Sequence, residues 1–159
     1  MTMNETYAIK AQPEDIDELT RIRIAYLTED HGEMDKDTKQ AVENSLPDYY
    51  RRHLNNDLFC YVIKDGARII CSAFLLVTEK PMSPSFINGK TGTVLNVYTE
   101  PDQRRKGYGK KVMEALLTDA KRMNLCTISL LATKDGQPLY AKLGFAEDVS
   151  KYQPMKYEL

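Results

Sequence analysis

Hydrophobic positions recur along this chain at helical spacing, then in β-type runs, then at helical spacing again. Ile16, Leu19, Ile22 and Tyr26 share one stripe of an amphipathic helix, introduced by Pro13, Glu14 and Asp15 with proline in the first turn and acids behind it. A short strand at 6–10 precedes it. After a polar stretch at 28–37, Val42, Leu46, Tyr50 and Leu54 mark a second helical region. Pro47 should divide that region in two, because proline removes a helical hydrogen bond. The two helical regions are expected to form a mobile cover on one side of a sheet.

Two apolar runs, 58–63 and 69–78, are joined by Lys64-Asp65-Gly66-Ala67 and read as a hairpin. Residues 81–90, with Pro81, Pro84, Asn88 and Gly89, form a loop before strand character resumes at 91–99. A helix at 110–123 then buries Val112, Met113, Leu116, Leu117 and Ala120, and another strand follows at 127–131. Strand, loop, helix and strand in that order imply a crossover to a parallel neighbour within a mixed sheet. A short helix at 137–142 closes at Gly144, and Phe145 with the segment 152–157 should supply the last strands. The fold class is α/β, and the sequence carries no repeats.

Composition narrows the function classes. A chain of 159 residues fits one domain, 1–159, with a single substantial core. With 42% hydrophobic and 28% charged residues it reads as a globular protein, and its longest apolar stretch, 73–77, is too short to span a membrane. Met1-Thr2-Met3-Asn4-Glu5 has no signal-peptide character, so a cytoplasmic location is expected. A net charge of −1 argues against general nucleic-acid binding, which needs a broad basic face. Cys60, Cys71 and Cys126 lie in apolar runs too far apart for a metal site and are expected to be buried thiols; no metal is expected.

One loop departs from local consistency. Arg104-Arg105-Lys106-Gly107-Tyr108-Gly109 and the following Lys110-Lys111 put five cations just before and within a helix start, where each opposes the macrodipole by ~0.3–1 kcal/mol. Two glycines let a ligand approach the backbone, and the helix N-terminus offers free amides, so the loop reads as an anion site. It is not a P-loop, because Lys110 is followed by Lys111 rather than Ser or Thr. Nor is it a dinucleotide fingerprint, because Val112 stands where close helix packing wants Gly or Ala. A pyrophosphate cradled by amides without metal remains.

Arg104-x-x-Gly107-x-Gly109 resembles the acetyl-CoA loop of the GCN5-related N-acetyltransferases, and Leu139-Tyr140 followed by Gly144-Phe145 resembles a later segment of that family. The resemblance implies a mixed sheet of six to seven strands with splayed central strands and helices on both faces. It implies acetyl-CoA as cosubstrate, without metal. Cofactor-binding residues by this resemblance are Val97, Tyr98 and Thr99 on a bulged strand, and Arg104, Arg105, Lys106, Gly107, Tyr108, Gly109 and Lys110 in the loop. Backbone amides near Val97 and Tyr98 are expected to face the thioester carbonyl, and Tyr140 matches the tyrosine that protonates the departing thiolate.

Many relatives carry a glutamate on the strand before the loop, but 91–98 contains no carboxylate. Asn96 is expected to orient a water or the substrate instead, and Glu29, Asp30, His31 or Glu33 could reach the acceptor from the cover, if they are not simply a solvated acidic turn. Arg51-Arg52-His53 reads either as a wet helix face or as a contact for an acidic acceptor. The expected reaction is acetyl transfer to the primary amine of a small molecule or peptide, with protein-lysine or N-terminal acetylation, or non-catalytic acyl-CoA sensing, as alternatives. The resemblance also allows a homodimer, which no sequence feature specifies.

Overall fold

A computed structural model describes residues 6–159; Met1–Glu5, read above for signal-peptide character, lie outside the described residues. Strand β1 (Ile9–Lys10) leads through a 3-10 turn at Pro13–Asp15 into α1 (Ile16–His31), and α2 (Lys36–His53) follows. The antiparallel strands β2 (Leu58–Asp65), β3 (Arg68–Glu79) and β4 (Lys90–Thr99) precede a second 3-10 turn, Pro101–Gln103. Helix α3 (Tyr108–Arg122), β5 (Thr127–Ser129) and α4 (Gln137–Lys142) complete the order.

The described strands form one sheet in sequence order, antiparallel throughout except for the β4–β5 pair, which the α3 crossover makes parallel. Alternation along β2 sorts its side chains between two cores: Leu58, Cys60 and Val62 pack under α1 and α2, and Tyr61 and Ile63 pack under α3. The sheet is therefore covered on both faces, which is why its central strands are apolar runs rather than strict alternations. Cys60 and Cys71 are buried free thiols, the latter pushed up to about 11 by burial, and Cys126 is partly buried.

The sequence reading is corrected at four places. Pro47 does not split α2, which runs unbroken with Leu46, Tyr49 and Tyr50 packed against the core beside the proline; tertiary packing outweighs the lost hydrogen bond. Helix α1 continues to His31 and ends at Gly32 with φ 83°, so Glu29, Asp30 and His31 sit on a helix rather than in a loop. Leu117 is only partly buried. The sheet has five described strands, not six or seven: beyond α4 no strand pairs, and Tyr152, Met155 and Tyr157 lie open to solvent. Pro154 in that segment has no N–H to offer a ladder.

Candidate active site

The site begins with a register shift. Ser72 pairs with Tyr98 and Phe74 with Leu95, so Asn96 and Val97 together oppose Ala73 as a β-bulge. Asn96 holds the left-handed backbone at φ 52°, a conformation asparagine tolerates better than most residues. Its carboxamide is engaged on both sides: Nδ2 donates to Ser72 Oγ at 3.2 Å, and Oδ1 accepts from Arg23 Nη1 at 3.2 Å. Ser72 in turn donates to the Asn96 carbonyl at 2.9 Å.

The bulge bends β4 away from β5. The parallel pairing spans only Thr91–Thr127, Gly92–Ile128 and Thr93–Ser129, and beyond it the two chains part around a cavity of about 820 Å³. Its floor is 93–97 of β4 and its far wall is Ser129, Leu130, Leu131 and Tyr140. The third side is one face of α1, where Arg23, Tyr26, Leu27, Asp30 and His31 follow the i, i+3, i+4, i+7, i+8 spacing of a single helical stripe. Asp148, Ser150, Tyr152 and Pro154 of the terminal segment close it.

Tyr140 stands where this cavity meets a second one of about 970 Å³, both being lined by Ser129, Leu130 and Leu131 as well. Its ring meets Phe145 edge-on at 5.9 Å, and burial, followed by the nearby Tyr26, raises its phenol above the ordinary value. The hydroxyl thus stays protonated across the neutral range.

At the other end of β4, Glu100 is nearly buried and takes Arg21 at 2.6 Å and Arg68 at 3.5 Å, while its carbonyl accepts from Gln103 N–H. This knot fixes where the basic loop starts. Arg105 and Gly107 then take positive φ, 65° and 80°, and α3 opens at Tyr108 without any side-chain cap. The first helical amides are therefore left for a ligand or water. Gly109 lies close to α4: a methyl there would meet Leu139 at 3.4 Å.

The expected cofactor residues are thus brought together, but not as a cluster of free cations. Arg104 donates to the Thr99 carbonyl at 2.9 Å, pairs with Glu29 at 2.5 Å and lies 5.5 Å above the Tyr98 ring. Lys106 donates to Gln103, Lys110 pairs with Glu114 and Lys111 reaches the Thr6 carbonyl. Tyr98 departs from the expected cofactor role: its ring turns into the α1 side of the core, edge-on to Tyr26 at 6.5 Å, and its backbone pairs with Ser72 of β3, so it does not line the cavity. Val97 lines the cavity, and the Thr99 hydroxyl contacts the Cys71 thiol at 3.2 Å. Tyr108 packs on the α3 core under Lys111.

Of the acidic cover residues, Asp30 and His31 line the cavity as a pair 3.3 Å apart, Glu29 is spent on Arg104, and Glu33 is exposed outside it. Arg51 and Arg52 pair with Asp48 and His53 with Asp57, which makes their face a solvated one. Sequence reasoning missed Arg23, although its stripe runs beside the buried one, because a lone arginine carries no motif.

The acetyltransferase (GNAT) family model matches residues 18–145, so the chain belongs to this family of acyltransferases. A protein from Porphyra purpurea named uncharacterized N-acetyltransferase ycf52 is 38% identical over 61 residues, which cover 38% of this chain and 35% of that protein. The matched stretch is thus about a third of that relative's length. A predicted acetyltransferase from Clostridium acetobutylicum, solved with acetyl-CoA, has 28% identity and a TM-score of 0.80, covering 95% of this chain and 96% of that one. A GCN5-related N-acetyltransferase from Ralstonia eutropha JMP134 has 26% identity and a TM-score of 0.76, covering 94% and 98%. No helix among the described residues is long and apolar enough to cross a membrane.

Proposed function

We propose that the chain transfers the acetyl group of acetyl-CoA directly to a primary amine of a small molecule or peptide, both substrates being bound together. The observation that carries this is the opening of β4 from β5 at the Asn96–Val97 bulge, with a tyrosine hydroxyl on the rim and an uncapped helix start beyond the strand's end. The similar structure solved with acetyl-CoA supports the same cosubstrate. The residues fit it: amides of Gly107, Tyr108 and Gly109 suit a pyrophosphate, with Arg105 as the loop arginine that lacks a carboxylate partner among the described residues.

Acetyl-CoA supplies an activated acyl group. The chain supplies position and protons. The backbone amide at Val97, set in the bulge beyond the β4–β5 pairing, stabilises charge growing on the carbonyl oxygen, where loss of one donor costs ~2.7–4 kcal/mol in barrier. Asn96 positions it, because its carboxamide holds the bulge through Ser72 and Arg23. Tyr140 delivers its proton to the leaving sulfur. The amine's proton leaves through water toward the Asp30–His31 pair, since β4 bears no carboxylate.

Calorimetry with acetyl-CoA, followed by thiol release across a panel of amines, tests this reading. Binding with amine-dependent release is expected. Tight binding with no release above buffer would leave an acyl-CoA sensor, and no binding would remove the reading altogether.

A further inference from the structure

Arg21, Arg51, Arg52, Arg68, Arg104 and Arg122 each have a carboxylate within 3.9 Å. Among the described arginines, only Arg23 and Arg105 form no ion pair. Arg105 lies in the loop proposed for a pyrophosphate, where an anion would complete it. Arg23 lies elsewhere, in the wall of the cavity at the bulge.

Its surroundings do not neutralise it. The Arg23 guanidinium gives one N–H to the neutral Asn96 amide and rests 5.6 Å from the centre of the Tyr26 ring. A guanidinium has five such donors arranged as a fork that matches a carboxylate or phosphate. The cavity's acids do not answer it either: Asp30, seven residues on and so ~10 Å along α1, lies against His31 and makes no ion pair with Arg23. Asp148 is exposed on the terminal segment, where water screens its charge.

We infer that Arg23 binds an anionic group of the acceptor, and that the acceptor is therefore an amine carrying a carboxylate or phosphate within a few bonds of its nitrogen, the chemistry of a free amino acid or an amino phosphate. This rests on the reading above, in which the thioester carbonyl lies against Val97. The distance follows from Asn96: the side chain that Arg23 touches belongs to the bulge itself, so an anion on Arg23 sits beside the nitrogen being acetylated. A lysine side chain in a protein brings no anion to that place, and a plain alkylamine leaves the guanidinium unanswered.

The test compares matched pairs with the wild-type protein: phenylalanine against phenylalaninamide, and phosphoethanolamine against ethanolamine, each followed by thiol release at saturating acetyl-CoA. The anionic member of at least one pair should have kcat/KM higher by about 10- to 100-fold, the range for a charge-assisted hydrogen bond, and the favoured pair tells carboxylate from phosphate. Arg23→Gln should collapse that ratio toward one through KM. Arg23→Lys should restore part of it, and acetyl-CoA affinity measured by calorimetry reports whether each variant is folded. Release with no preference in either pair, or a preference that survives Arg23→Gln, overturns the inference while leaving acetyl transfer standing. Absence of release with every amine removes both.

Discussion

Helices α1 and α3 pack on opposite faces of one sheet and are held in different ways. Helix α3 buries Val112, Met113, Leu116 and Ala120 along its length, with Val112, Met113 and Leu116 fully inaccessible. Helix α1 buries Ile16, Leu19 and Ile22 in its first half only; its second half, from Arg23 on, turns a stripe of mixed polarity toward the cavity and is tied back through Glu29 to Arg104. The helix behind the proposed pyrophosphate loop is thus fixed by apolar packing along its length, and the one beside the proposed acceptor by a buried first half and, beyond Ile22, by the partly buried Ala25 and Tyr26 together with polar contacts. A donor common to a family can be met by a rigid backbone, whereas acceptors must be chosen by side chains.

The largest effect that would sharpen this contrast is on stability. Leu116→Ala should lower unfolding free energy by about 2–5 kcal/mol, measured by denaturant titration, whereas Glu29→Gln should cost about 1 kcal/mol or less because both partners are substantially exposed. Similar losses would abolish the distinction. For chemistry, Tyr140→Phe should reduce kcat by about 100-fold with little change in acetyl-CoA affinity. Because burial raises its phenol above 10.0, the acid form persists as pH rises and is lost only through that higher value. Any alkaline fall in kcat that Tyr140→Phe removes should therefore lie above pH 10.0.

A smaller effect is expected at the loop. Gly107→Val forces a β-branched residue into the left-handed region, where strain costs ~1–3 kcal/mol, and no other protein atom lies within 4 Å of the added Cβ. Acetyl-CoA affinity should fall about 10-fold by calorimetry, the loss coming from backbone strain and blocked approach rather than from an internal clash. The smallest effect concerns acid. The hydrogen bond from Arg21, with the Ile69 amide, holds the Glu18 carboxyl below its ordinary value despite partial burial. Its contribution is complete above 4.5 and disappears as pH falls through the lowered value, so Glu18→Gln should flatten that part of the acid unfolding curve.

The sequence by itself determined the order of the elements through α4, the parallel crossover and the conformation of the loop proposed to bind an anion, because each depends on near neighbours: apolar period, a glycine pair, a helix start without a cap. Asp65-Gly66 and the α3 stripe needed nothing else. Tertiary structure decided what depends on distant segments meeting. Pro47 stays inside α2 because the core holds the helix on either side of it, and the terminal residues 152–157 join no strand although their pattern suggested one. Arg104 looked like a free phosphate ligand until folding placed Glu29 beside it, 75 residues earlier in the chain. Arg23 carried no signal at all until the bulge and α1 came together around the cavity, since a charge has meaning only through the partners that folding gives or denies it.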